Sequence, residues 1–344
     1  MPFIDSIAEK SLTFDNVYAD GVHTYNGIYS SLFGLPSIPN VKAMVSPLIA
    51  GQKLSGLSNV LHKHGYQSVF FCSGDKLFDN MNGFLMNNEF DEVIGQEVYP
   101  QDVVISEWGV PDHVIFDYAL PKLQNLSENK KPFLAVILTI STHESCAIPD
   151  WVDFKPNAED PYDARFQYTD WAVSKFINEL SKKDFFKNTI FVFVADHGQN
   201  FDQTYDLSLA YHHTPLIFYS PALISPASYS KPGLQIDLFP TLMALLKLPY
   251  VNNTLGIDLA KENRHFAFFS ADDKLGCLDD ENYLIIRNNG PESMYKYKTK
   301  GITNQLNENK TLADNMKTYS YSMLQTVRWI LEHKLAYLPD ITVK

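Results

Sequence analysis

The sequence predicts an α/β protein: a doubly wound, mostly parallel sheet with helices on both faces, then a small antiparallel C-terminal lobe. Two observations predict the sheet. Four apolar, β-rich runs each follow a helical or turn segment and end in small or polar residues. Each run is apolar on both faces, the pattern of parallel strands covered by helices. A third observation predicts the lobe, because from about Ala260 the pattern gives way to short strands joined by Asp, Asn and Gly turns.

In chain order, Gly21 to Leu32 reads as a loop entering a helix. Gly56 to Gly65 places Leu57, Val60 and Leu61 at helical spacing and ends on a glycine stop. Ser68 to Cys72 is the first apolar run and Pro132 to Ile140 the second. Arg165 to Lys182 carries Tyr168, Trp171, Ala172, Ile177 and Leu180 on one helical stripe. Thr189 to Ala195 and Pro215 to Tyr219 complete the runs, and Asp237 to Leu248 is a further helix. Alternation of this kind indicates a doubly wound sheet. Phe266 to Phe269, Lys274 to Leu278 and Tyr283 to Arg287 form a meander, and a helix over Thr318 to Leu335 closes the chain. Residues 1–260 are therefore expected as the core and 261–344 as a smaller lobe packed on it.

With 344 residues, 45% hydrophobic and 13% aromatic, the chain can bury a sizeable core. A formal charge of -12 argues against nucleic acid as a partner. It does not argue against small anions, because one metal ion and a few donors reverse the field inside a cleft. Cys72, Cys146 and Cys277 lie far apart and make neither a zinc knuckle nor a disulfide framework. No run of 18 apolar residues exists, and Met1 to Asp5 has no signal-peptide character. The expectation is a cytosolic protein or a soluble piece of a longer one.

Ligands of an open parallel sheet bind beyond the carboxyl ends of its strands. There the sequence offers Asp196-His197-Gly198 after one run, Ser141-Thr142-His143-Glu144 after another, and His212-His213 before a third. Adjacent Asp196 and His197 can reach one divalent cation where the strand gives way to a loop, and the same pair suits an ordinary hydrogen-bonded turn. His143 suits a contact to a tetrahedral anion, a general acid, or a loop histidine satisfied by a carbonyl. Thr24 falls at a helix start, where a threonine serves as a cap. A hydroxyl there is also well placed as a nucleophile, since the helix dipole and free N–H groups stabilise its alkoxide.

These segments resemble lipoteichoic-acid-synthase-like members of the sulfatase family, within the alkaline phosphatase superfamily. The resemblance runs through Pro2 to Ala8 with Phe14-Asp15-Asn16, the Thr24 segment on to Ser37, and Phe78 to Met81 with Phe90-Asp91. It continues through Thr142-His143, Val194 to Gly198, His213 to Ile217 and Gln235 to Thr241. It implies Thr24 as nucleophile and metal ligand, Asp196 and His197 as ligands of the same ion (manganese, magnesium or zinc), and His143 as the contact to substrate phosphate. His213 is implied as a contact to substrate or to the ligands.

The chain begins after the family's first strand, so that strand's acidic ligand is missing, with Asp5 one possible substitute. The family's substrate-binding Trp/Arg pair is absent near Cys72 to Asp75. No Cys/Ser-x-Pro-x-Arg stretch occurs, so a formylglycine mechanism is not supported. The resemblance implies phosphoryl transfer from phospholipid head groups or cell-envelope phosphodiesters, at the extracytoplasmic face of the cytoplasmic membrane. Any membrane attachment would come through a segment outside this chain. Hydrolysis of small phosphate or sulfate esters is the second reading, and an inactive binding domain the third.

Overall fold

The computed structural model describes residues 1–338. The chain runs through α1 (Pro2–Ala8), β1 (Leu12–Tyr18), α2 (Thr24–Phe33), α3 (Leu57–Lys63), β2 (Gln67–Cys72), α4 (Met81–Asn87), β3 (Glu92–Ile94), α5 (Asp112–Glu128), β4 (Phe133–Leu138) and α6 (Pro161–Leu180). It continues through β5 (Phe191–Val194), β6 (His213–Tyr219), β7 (Ala227–Tyr229), β8 (Gly233–Leu234) and α7 (Leu238–Leu246). Last come β9 (Ala267–Ser270), β10 (Lys274–Leu278), β11 (Asn282–Arg287), β12 (Ser293–Lys296) and α8 (Lys310–Glu332). The fold is the expected α/β class, with parallel pairings and a C-terminal antiparallel sheet. Residues 339–344 of the expected lobe lie outside the described residues.

The chain forms two compact units. The first comprises residues 1–12, 58–191 and 218–227. Its sheet has the order β3-β2-β4, with β2 parallel to both neighbours. Val69, Phe70 and Phe71 of β2 are buried, as an apolar central strand requires. Helices α5 and α6 pack together, with the Phe116 and Phe176 rings stacked 4.6 Å apart. No side chain of its own caps α1; the Asp170 carboxylate of α6 does so, accepting the Phe3 and Ile4 N–H groups at 2.9 Å each.

The second unit comprises, among the described residues, 13–57, 192–217 and 228–338. It holds most of a five-stranded sheet, ordered β5-β6-β1-β7 with β8 parallel to β1, and the antiparallel sheet β12-β11-β10-β9. One apolar cluster joins Tyr18, Leu234 and Ile236 to Phe269, Leu278, Tyr283 and Ile285. A second packs Met316 of α8 against Phe268, Cys277 and Leu284.

The apolar runs of β4 and β5 predict central, covered strands. Each instead lies at the edge of its sheet and is half-buried along its length, because an edge strand has a neighbour on one side only.

Candidate active site

Thr24, Asp196, His197 and His213 belong to the second unit and His143 to the first. Thr24 is the first residue of α2, directly after the extended N-cap residue His23. The positive end of the helix dipole at that first turn favours negative charge beside the hydroxyl. One turn on, Gly27 faces the end of β5. A Cβ placed on Gly27 would lie 2.5 Å from both Cα and Cβ of Asp196, so only glycine lets the helix approach so closely. The structure thus brings the start of α2 against the Asp196 strand end within one unit.

The Asp196-His197 turn is tightly specified. Asp196 Oδ1 accepts the His197 N–H at 2.9 Å, and His197 Nδ1 donates to the Gly198 carbonyl at 2.7 Å. The other ring nitrogen, Nε2, lies 3.5 Å from Asp196 Oδ2. Gly198 donates to the Tyr211 carbonyl at 2.8 Å, and a side chain there would collide with the Ala210 carbonyl. Behind the turn, the Gln235 amide donates to the carbonyls of Ala195 and Asp196, at 2.8 and 3.0 Å.

Sequence reasoning missed the buried polar cluster around this turn. Asp20 lies just beyond β1, wholly buried, and neither carboxylate oxygen has a hydrogen-bond partner of normal geometry. Burial, then repulsion from Asp237, raises its pKa well above the usual carboxyl range, with Arg264 and the Ile236 N–H opposing. The Tyr29 hydroxyl is likewise buried and unpartnered; burial and then Asp20 push its pKa up. His212 donates from Nδ1 to the Ala19 carbonyl at 2.9 Å, while Nε2 is buried without a partner. Burial lowers its pKa to about 4, so the ring is neutral. His212 was visible in the His212-His213 pair and Gln235 in its motif, but a buried lone Asp20 has no sequence signature.

His213 opens β6, exposed, with Nε2 2.7 Å from the Asp15 carbonyl. In the first unit, His143 sits in the turn after β4, its ring stacked on Trp108 at 4.6 Å. Asp5 is exposed on α1, 3.5 Å from the Met1 amino group.

Thr24, Asp196 and His197 offer a hydroxyl, a carboxylate and an imidazole, donor types that suit a divalent cation. The donor chemistry fits, but the set is short: among the described residues no group of three or more His, Cys, Asp or Glu is gathered to hold an ion.

This architecture is of the alkaline phosphatase superfamily type, with the Asp-His turn at a strand end and a threonine-headed helix packed against it. The chain belongs to the sulfatase family, whose model, described as Sulfatase, matches residues 1–248. A lipoteichoic acid synthase-like protein of Bacillus subtilis, YvgJ, is 23% identical over 71% of this chain and 43% of its own length. Phosphoglycerol transferase I of Escherichia fergusonii is 26% identical over 57% of this chain and 27% of its own. The chain thus spans less than half the length of these curated relatives. Among solved structures, an alkaline phosphatase superfamily protein of Vibrio parahaemolyticus matches with a TM-score of 0.86 at 22% identity, covering 98% of this chain and 83% of its own. The lipoteichoic acid synthase LtaP of Listeria monocytogenes matches at 0.82 and 17% identity, covering 96% and 86%.

Proposed function

We propose that this chain is a catalytic domain that transfers a phosphoryl group from a lipid head-group or cell-envelope phosphodiester, with Thr24 as nucleophile. The observation that carries the reading is the packing of α2 on Asp196 through Gly27, which sets the threonine-headed turn beside the Asp-His turn. The names of the relatives, a lipoteichoic acid synthase-like protein and a phosphoglycerol transferase, support the substrate class.

In this reading the Thr24 oxygen attacks phosphorus, a new O–P bond forms in line, and the leaving alkoxide departs and is protonated. An acceptor alcohol then releases the phosphoryl group from Thr24, or water does so in the hydrolytic version. The α2 N-terminus stabilises the developing charge, and the Gln235 amide holds the Ala195–Asp196 backbone in place. His143 is assigned to the substrate phosphate on the family resemblance, and His213 to a neighbouring contact. Thr24, Asp196 and His197 would hold a divalent ion (manganese, magnesium or zinc). That ion would lower the threonine pKa and neutralise phosphate charge. In this reading the enzyme works at the outer face of the cytoplasmic membrane, and the relatives' names support that only through their substrate class. No described helix here is long and apolar enough to cross one.

One observation favours a second reading: the short ligand set suits a catalytically inactive binding domain. Metal content, measured by inductively coupled plasma mass spectrometry on the chain and on Asp196→Ala, separates the two. About one equivalent of metal, lost in the variant, with phosphodiester turnover abolished by Thr24→Ala, is the expected result. No metal after soaking and no turnover would sink the catalytic reading for this chain.

A further inference from the structure

Three side chains of one short segment that runs into the first residue of α5 reach the turn that carries His143, all within the first unit. The Trp108 indole lies face to face with the His143 imidazole, centroids 4.6 Å apart and planes 19° from parallel. Wholly buried Asp112 takes the Ile140 and Ser141 N–H groups on Oδ1 at 2.9 and 3.0 Å. Its own N–H donates to the Ser141 hydroxyl at 2.9 Å, and Thr169 donates to its Oδ2 at 2.9 Å. Ser106 meets the Cys146 thiol at 3.4 Å.

The gripping segment is itself held. The Trp108 N–H donates to Ser106 Oγ at 3.2 Å, and Phe78 meets the indole edge-on at 5.7 Å. Gly109 has φ +113, and a side chain there would collide with the Ser73 carbonyl, so the backbone beside Trp108 is wedged against residues 73 and 74.

We infer that Trp108 and Asp112 are positioning residues for His143: Asp112 fixes the backbone where β4 ends, and Trp108 fixes the plane of the ring. The inference rests on the reading of His143 as a phosphate contact. A ring stacked on a broad indole cannot tilt, so its two nitrogens are confined to fixed directions at its edge. A donor on a loop needs such support, because misplacement by about 1 Å costs on the order of 100-fold in rate.

The test is a double-mutant cycle on the full chain, with bis(p-nitrophenyl) phosphate as substrate and manganese supplied, together with the NMR shifts of the His143 ring protons. Trp108→Leu is expected to lower kcat/KM about 10- to 100-fold, chiefly through kcat. Trp108→Phe, which keeps an aromatic face, should recover most of the loss. In the His143→Ala background, Trp108→Leu should add nothing, because its partner is gone. The upfield ring-current shift of the His143 protons should vanish in Trp108→Leu and persist in part in Trp108→Phe. Losses that multiply in the double variant, or a His143 spectrum indifferent to Trp108, would overturn the positioning role. Failure of the underlying reading looks different: His143→Ala would then match wild type, or wild type would not turn over, while the ring-current shift still tracked Trp108. That result removes the inference along with the reading and leaves the stack as packing alone.

Discussion

Asp20 carries an unusual load for one residue, a wholly buried carboxyl with no hydrogen-bond partner of normal geometry on either oxygen. Burial favours its neutral form, and Asp237 adds repulsion that Arg264 only partly offsets. Arg264 is already committed, with Nε donating to Asp237 Oδ2 at 2.7 Å and a further nitrogen to the Leu255 carbonyl at 2.7 Å. An acid whose folded pKa is raised penalises the fold only when it ionises. The contribution of Asp20 is therefore most favourable below the unfolded carboxyl value of about 3.9. It is lost as pH climbs through that value toward the raised folded one. Asp20→Asn keeps the shape without the charge. Its melting temperature should exceed that of wild type at pH 8, with the advantage shrinking toward pH 4. An advantage of constant size across that range, or wild type being the more stable at pH 8, would show that Asp20 does not titrate into a hostile site.

At the scale of elements, helix α2 is useful only as far as it can approach β5, and Gly27 sets that distance. Gly27→Ala would improve helix propensity in isolation. Here its methyl group would sit 2.5 Å from Asp196 Cα and Cβ, so the helix or the turn must move. The expected cost is about 1–3 kcal/mol of stability and about 100-fold in phosphodiester turnover. A Gly27→Ala chain with wild-type melting temperature and rate would show that the close approach is dispensable. Among the elements legible in the sequence were those whose pattern is unbroken, such as the apolar runs of β2, β4, β5 and β6 and the stripe of α6. Strand β1 was hidden because Asp15 and Asn16 interrupt its apolar residues, and α5 because Pro121 stands inside it. At the site, strand ends and a helix start pointed to Asp196, His197 and Thr24. The polar cluster behind them was illegible, because Asp20 and Tyr29 gain their character from burial in the folded chain, and Asp20 also from the charge of Asp237, some two hundred positions away.

Across the whole molecule, chain order and packing order part company. Each compact unit is assembled from three separate stretches of sequence, so neither is a continuous piece. The segment after residue 260 shares a core with what precedes it in the second unit. Phe269, Leu278, Tyr283 and Ile285 pack in one apolar cluster with Tyr18, Leu234 and Ile236. The Tyr283 hydroxyl donates to the Leu207 carbonyl at 2.9 Å, and Arg264 ties to the buried Asp237 carboxylate. A break near residue 260, where the sequence pattern changes, would therefore cut through a core. Full burial of each large apolar side chain stabilises the fold by about 1.5–3 kcal/mol. Loss of several contacts of this kind, with Asp237 left buried and unpaired at a further cost of about 3–5 kcal/mol, exceeds much of the net stability of a typical domain. Truncation after Ala260 should thus give a chain that aggregates or lacks a cooperative thermal transition, measured by circular dichroism beside the full chain. A soluble 1–260 fragment that melted cooperatively near the full-length temperature would show instead that residues 261–344 are a separable lobe, and that the shared cluster adds little to the stability of the rest.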